Sequence, residues 1–414
     1  MASPNTRDDV VGTPGTGGYR RVLAVGEFRV VFVAEVLAVL GQVAAQITLS
    51  LTVYERTGSP LLSALAFAAS FVPYLIGATL LSAWSDRVPA RRLMVVTQLT
   101  TALLIACMAP SGTPVPVVLV LLLAMGAIAP LYQGTRAALV ADILPADGFA
   151  LGRSLLRMAA QTAQICGFAF GGVLLAATSP TAALLTGSGL LVLSSLLLWL
   201  GLAVRPARRS TPSSGGSPLG ESVAGAGRVL RSPSLRPLLA FMWLLPALSV
   251  APEALAAPIA SGLGGGPVAV AALLSAAPVG MIVGGLLLGA LLTDGQRVRA
   301  VVPLGLVTFV PLLGLALRPE LPVVVALLAV SGCGYGYALG VDRLLIERVA
   351  VQDRGQVLTL VTAGLMILQG LGFAFAGALA EWLPPHTVVV LAAVLGLATT
   401  VGAGLRLTPA RRRG

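Results

Sequence analysis

Few residues in this chain can do chemistry, and most of them sit where water is scarce. Glu35, Gln42 and Gln46 lie seven and four residues apart, steps that return to nearly one direction on a helix and so form a polar stripe. Glu253 stands alone in an apolar run that Pro246, Pro252 and Pro258 interrupt. Prolines free backbone carbonyls, which is tolerated at membrane depth where a broken helix lines a cavity. A carboxyl in that position can take up and release a proton, so Glu253 and Glu35 are the candidate proton-coupling groups. Glu35 lies near the end of its run, which leaves open a cavity position or a snorkelled pairing with an arginine. Tyr132, Gln133, Arg136 and Tyr337 join Gln42 and Gln46 as candidate cavity residues, the tyrosines either stacking on a flat ligand or filling the core.

Other chemistries lack their parts. Cys107, Cys166 and Cys333 all fall in apolar runs, which reads as small buried packing residues and not as a disulfide framework or metal cluster. His386 is the only histidine. It reads as a solvated loop residue, with no partners for metal ligation. The chain contains no lysine, so a phosphate-binding loop with its lysine is excluded. No cofactor and no enzyme activity are expected.

The elements that must position these residues follow from composition. Of 414 residues 57% are hydrophobic and 10% charged, with a mean hydropathy of +0.93; a soluble domain of that composition is excluded. Apolar runs long enough to span a bilayer as helix occur at 30–52, 61–84, 93–109, 115–138, 154–177, 181–204, 237–260, 267–292, 299–317, 321–341, 357–380 and 386–405. Their unbroken apolarity excludes a transmembrane barrel. The fold class is an all-α polytopic membrane protein with twelve spans.

Threading the spans back and forth separates the 27 basic residues, all arginines, into 25 on one side and two, Arg56 and Arg318, on the other. Basic loops resist translocation, so the arginine-rich side, with both termini, is expected in the cytoplasm. The net charge of +11 is thereby a topology signal and not a nucleic-acid surface. Residues 1–27 read as a disordered cytoplasmic tail, 28–204 as a first six-helix half, 205–236 as a Ser/Gly/Pro-rich linker, 237–405 as a second half and 406–414 as a basic tail. The halves are related. A shift of 205 residues superposes Gln164–Gly172 on Gln369–Gly377 with six identities in nine, and carries Tyr132 onto Tyr337. Six spans per half make these parallel repeats about an axis along the membrane normal.

At this point the residues resemble the major facilitator superfamily. Ser82-Ala-Trp-Ser-Asp86-Arg87-Val-Pro-Ala-Arg91-Arg92 is similar to the superfamily's loop motif, with a weaker copy from Asp294 to Arg299. The resemblance implies gating roles for Asp86, Arg87, Arg91, Arg92 and Asp294, an Asp at a helix end pairing across the bundle in one conformation only. Gly167-Phe-Ala-Phe-Gly171-Gly172 is similar to the superfamily's antiporter signature with Phe168 in place of proline. Gly167, Gly171, Gly172, Gly372 and Gly377 serve either direct coupling or close helix packing. Gln133-Gly-Thr-Arg136 resembles the tail of another motif whose arginine position is Pro130 here; that departure weighs against proton coupling through span 4. Thr57-Gly-Ser-Pro60 resembles the twelve-span drug and siderophore proton-antiporter branch.

The resemblance implies a secondary transporter working by alternating access in the cell membrane, functional as a monomer. Proton-coupled export of a lipophilic small molecule, as in multidrug efflux, is the expectation. A proton-coupled solute importer of the same fold is the alternative, and a non-transporting receptor or scaffold the reading from another class. The partners are a small-molecule substrate, protons and the lipid bilayer. Single cysteines introduced at Gly112, Gly265 and Pro319 are expected to react with an impermeant thiol reagent from outside intact cells, whereas those at Ser214 and Gly355 stay protected; reversed labelling overturns the arginine argument.

Overall fold

The computed structural model describes residues 16–71, 73, 88–205, 232, 235–349 and 354–407. A chain in hydrocarbon must satisfy its backbone groups within each segment, and every regular element among the described residues is helical. Helix α1 (Thr16–Ala24) precedes α2 (Gly26–Thr57). The start of the chain is thus helical from Thr16, correcting the expectation of a disordered tail to residue 27: Val22 is buried and lies beside Gly148 and Gly152, an apolar contact that offsets the entropy of ordering. Residues 1–15 lie outside the described residues, as do 206–231 of the expected linker and 408–414 of the basic tail.

Helix α2 stops at Gly58, whose φ of 65° is a left-handed turn that glycine adopts without strain. Helix α3 (Pro60–Ala68) follows at once, with the Ser59 side chain accepting from the Leu62 N–H and Pro60 in the first turn. Next come α4 (Ala90–Met108), α5 (Val115–Ile143), α6 (Ala146–Ala177) and α7 (Pro180–Gly201). The expected seventh span is three pieces, α8 (Arg236–Ser249), α9 (Ala251–Ala254) and α10 (Ala256–Gly262). Helix α11 (Pro267–Leu291), the short α12 (Asp294–Arg299) and α13 (Val301–Phe309) lead to a 3₁₀ turn (Pro311–Leu317). The tenth span is broken too, into α14 (Leu321–Gly334) and α15 (Tyr337–Arg348), before α16 (Arg354–Leu379) and α17 (Pro385–Leu407).

Ten segments among the described residues are long and apolar enough to cross a membrane. Of the other two expected spans, 61–84 is described only as far as residue 71 and at 73, and the ninth is the shorter run Val301–Leu317, which tightens to 3₁₀ after Pro311. Large apolar side chains such as Trp199, Leu200, Leu286 and Leu291 stay exposed on the perimeter, as expected of a surface solvated by lipid. Cys107 and Cys166 belong to that exposed surface and Cys333 is half-buried, which corrects the expectation of buried cysteines. All three thiols are free.

Small residues let the helices close up. Gly41 of α2 meets Gly187 of α7, and Gly280, Gly284 and Gly332 bring the backbones of α11 and α14 together. Hydroxyls bond between helices as well, Ser194 Oγ donating to the Ala34 carbonyl across α7 and α2 at 2.7 Å and Ser331 Oγ to the Thr308 carbonyl across α14 and α13 at 2.6 Å. The first six spans meet the last six chiefly through α3 against α16 and α6 against α11. A leucine at Gly280 would drive its side chain into the backbone of α14, whereas at Gly285 a Cβ meets nothing within 4 Å. Gly280→Leu is therefore expected to cost about 1–3 kcal/mol or more, read as a lowered thermal midpoint in detergent, with Gly285→Leu unchanged; equal midpoints contradict the packing assigned to this contact.

Candidate functional site

The prolines of the seventh expected span leave α9 only one turn long, between breaks at Val250 and Leu255. Glu253 sits on that turn, half-buried. Among the described residues no hydrogen bond or salt bridge reaches its carboxylate. It lines two adjoining cavities at once. One, of about 410 Å³, is walled mainly by α2, α3, α4 and α5 and includes Glu35, Gln42, Gln46, Gln98, Tyr132 and Gln133. The other, of about 230 Å³, is walled mainly by α6, α9, α11, α14 and α16 and includes Gln161, Ser249, Tyr335, Gln369 and Phe373. Phe71, Gln164 and Glu253 line both, so they form the junction of one two-lobed space between the first and last six spans.

The polar stripe of α2 faces the larger lobe, and Glu35 is held there by more than snorkelling. Arg136 of α5 makes an ion pair with it, and the Tyr132 hydroxyl donates to Glu35 Oε2 at 3.2 Å. The guanidinium also lies 5.9 Å from the centre of the Tyr132 ring. Of these two cavity-lining carboxylates, Glu35 is therefore neutralised by its neighbours, whereas Glu253 has no such partner among the described residues. A partnered carboxylate is held in its charged form by specific contacts, whereas an unpartnered one is open to a proton or a cationic ligand.

The expectations for the other side chains divide. Gln42, Gln46, Tyr132 and Gln133 line the larger lobe. Arg136 does not: its role there is the ion pair with Glu35. Tyr337 is also corrected, since it is buried at 3% exposure with its ring 5.9 Å from Phe241 and from Tyr335. The ring that reaches the cavity from that span is Tyr335, in the break between α14 and α15, bonded through its hydroxyl to Ser249. A glycine on either side of Tyr335 weakens the helix there, a signal the sequence carried but that reading by repeat assigned to Tyr337. Gln161 and Gln164, three apart on α6, were likewise legible as one helix face.

Of the gating candidates, Asp86 and Arg87 lie outside the described residues. The Arg91 guanidinium stands 4.4 Å from the Trp199 ring centre, a cation–π contact, and Arg92 is exposed. Asp294 is the first residue of α12. The glycine candidates sit at helix contacts: Gly167 and Gly171 against Val43 and Ala44, Gly172 against Ala271, Gly372 against Ala247 and Gly377 against Ala64. Two of these contacts, with the stacked Phe67, Phe71 and Phe373 rings at 5.4 and 5.5 Å, join the first six spans to the last. At the arginine-poor end that junction is fastened by Glu381, which accepts from Ser59 Oγ at 2.5 Å and from the Leu61 N–H at 3.0 Å. No sequence pattern pointed to Glu381.

A family model described as the Major Facilitator Superfamily matches residues 31–252. By sequence the chain matches no curated protein. Among solved structures, that of the nucleoside transporter NupG superposes with a TM-score of 0.70 at 13% identity, over 92% of this chain and 99% of that one. A POT family transporter in complex with 5-aminolevulinic acid gives 0.72 at 9% identity, over 91% and 95%. The human organic anion transporter MFSD10 gives 0.64 at 17% identity, over 95% and 100%. Likeness at such low identity speaks for the fold.

The two carboxylates should answer differently to mutation. Glu35→Gln strands the Arg136 charge and is expected to lower stability, by less than the ~3–5 kcal/mol of a fully buried pair because the Arg136 side chain keeps 20% exposure. Adding Arg136→Gln is expected to recover part of the loss in a double-mutant cycle of thermal midpoints, and Glu253→Gln to leave the midpoint in place. A cycle with no coupling contradicts the pairing.

Proposed function

The chain belongs to the major facilitator superfamily, and from that premise we propose that it is a proton-coupled exporter of lipophilic small molecules working by alternating access. Membership and fold make it a transporter and not an enzyme. The observation that carries the finer reading is Glu253: a carboxylate without a partner, on a broken helix, at the junction of the two cavity lobes. Protonation and substrate binding at one such group can exclude each other, which is what exchange of a proton for cargo requires. Apart from the paired Glu35, the rest of the lining combines aliphatic and aromatic side chains with neutral amides and hydroxyls, suited to an apolar molecule with a few hydrogen-bonding atoms.

In this reading the arginine-rich end, with both termini, is cytoplasmic in the cell membrane, and the halves 28–204 and 237–405 rock as units joined by 205–236, within a monomer. The Glu381 fastening and the phenylalanine stack then close the outer end, so the described conformation is one with the outer gate shut. Across the opposite end Arg157 of α6 lies within electrostatic range of Asp342 of α15, a pair placed to tighten when the inner end closes. The loop around Asp86 has the same gating role in this reading, and the likeness to the drug and siderophore antiporter branch supports export. The amides favour one second reading, uptake of a more polar solute by the same cycle.

Glu253→Gln keeps shape and hydrogen bonding but removes the titrating proton. In everted vesicles with an imposed pH gradient, the variant is expected to lose uphill accumulation and its pH dependence while retaining downhill exchange of the same substrate. Uphill transport with an unchanged pH profile would show that Glu253 is not the coupling group.

A further inference from the structure

Two cavities lie apart from the central one, and they occupy matching places in the first and last six spans. The first, of about 310 Å³, is enclosed by the end of α2, the α4–α5 connection and the start of α7. The second, of about 300 Å³, is enclosed by α10, the 3₁₀ turn, the start of α14 and the start of α17. The shift of 205 residues that relates the repeats carries Ser179, Pro180 and Thr181 onto Pro384, Pro385 and His386. Those two triplets line the first and second cavity respectively. The cavities therefore occupy repeat-related places at the arginine-poor end, although the shift carries Arg56 onto Ser261 and Thr113 onto Arg318.

Their charge is uneven. That end has only two arginines, Arg56 and Arg318, and three acids, Glu55, Glu320 and Glu381. Each cavity is lined by one of the arginines and by none of the acids. Arg56 Nη1 donates to the Thr113 carbonyl at 3.1 Å, and Arg318 Nε donates to His386 Nε2 at 3.1 Å. Both contacts are to neutral acceptors, so each guanidinium keeps N–H groups and a full charge with no carboxylate against it among the described residues. His386, expected from sequence in a solvated loop, instead lies in the first turn of α17 and accepts from Arg318.

Two further observations point the same way. Arg318 has φ of 49°, the one positive value at a non-glycine among the described residues, a strained backbone at the end of the 3₁₀ turn that borders the cavity. In the first cavity the lining residue Thr52 carries an Oγ1 that is buried without a hydrogen-bond partner among the described residues. The rest of each lining sets aliphatic side chains, Val53, Met108 and Leu184 in one and Ile259, Leu315 and Val324 in the other, beside prolines and, in the first, the hydroxyls of Ser111, Ser179 and Thr181.

We infer that each half binds one anionic amphiphile at this end, its phosphate or carboxylate head on Arg56 or Arg318 and its apolar portion against the aliphatic walls. The volumes stand at the low end for small-ligand sites, enough for a head group and a short chain. A guanidinium suits such a head because it offers paired donors in a fixed plane. The inference does not depend on the transport reading.

Octyl phosphate below its micellar concentration, added to the purified full chain in a non-ionic detergent, is expected to bind two per chain by native mass spectrometry. Octanol and octyltrimethylammonium are expected not to. Arg56→Gln and Arg318→Gln are each expected to leave one site, and the double variant none, with about tenfold or greater weakening at the altered site by calorimetry. Lysine at either position is expected to restore binding in part. Leu263→Trp, which fills the second cavity and leaves Arg318 in place, is expected to remove one site, so the test does not rest on the arginine variants folding. In nanodiscs, competition from phosphatidylglycerol and not phosphatidylcholine identifies a bilayer lipid as the occupant; undiminished octyl phosphate binding in both identifies a soluble amphiphile. Two octyl phosphates still bound by the double variant, or equal binding of octyltrimethylammonium, overturns the assignment.

Discussion

Hydrocarbon offers no hydrogen bonds, so the backbone of this chain is confined to helices and may be interrupted only where protein or water in a cavity takes over the freed groups. The broken seventh span is where that constraint bears hardest. Pro246, Pro252 and Pro258 cut it into α8, α9 and α10, and the middle piece carries Glu253 to the junction of the two cavity lobes. The same chemistry acts at Tyr335, where the tenth span breaks between α14 and α15 and its ring enters the smaller lobe. Both irregularities face the space between the first and last six spans and none of the lipid.

Polar side chains obey the same accounting. Ser194 and Ser331, which face other helices, return hydrogen bonds to the Ala34 and Thr308 carbonyls. The ion pair between helices of the first half, Glu35 with Arg136, is completed by Tyr132. Against that background the unpartnered Glu253 stands out, because a carboxylate with no fixed partner persists at such a place only where something exchangeable can satisfy it.

Closure at the arginine-poor end relies on weak interactions repeated along two helix contacts. Gly377 and Gly172 permit close approach, the three phenylalanine rings stack across the junction, and Glu381 caps the start of α3. Individually such contacts are worth about 1 kcal/mol, a scale at which a bound proton or ligand can shift the balance between two arrangements.

Much of the fold was legible in the residues alone. Hydropathy located the spans to within a few residues for most of the chain, because a helix in lipid must be about 20 apolar residues long whatever it packs against. The isolation of Glu253 among prolines, and the stripe of Glu35, Gln42 and Gln46, follow from helical spacing within single segments. Tertiary structure alone decided which carboxylate is paired, since Glu35 and Tyr132 are 97 residues apart, and alone joined Glu381 to Ser59 across 322. It also chose Tyr335 over Tyr337 for the cavity, a matter of where a weakened helix turns and not of the repeat. Periodicity records how one helix divides its faces; it holds no record of which neighbour each face will meet, and partnering, burial and closure are properties of that meeting.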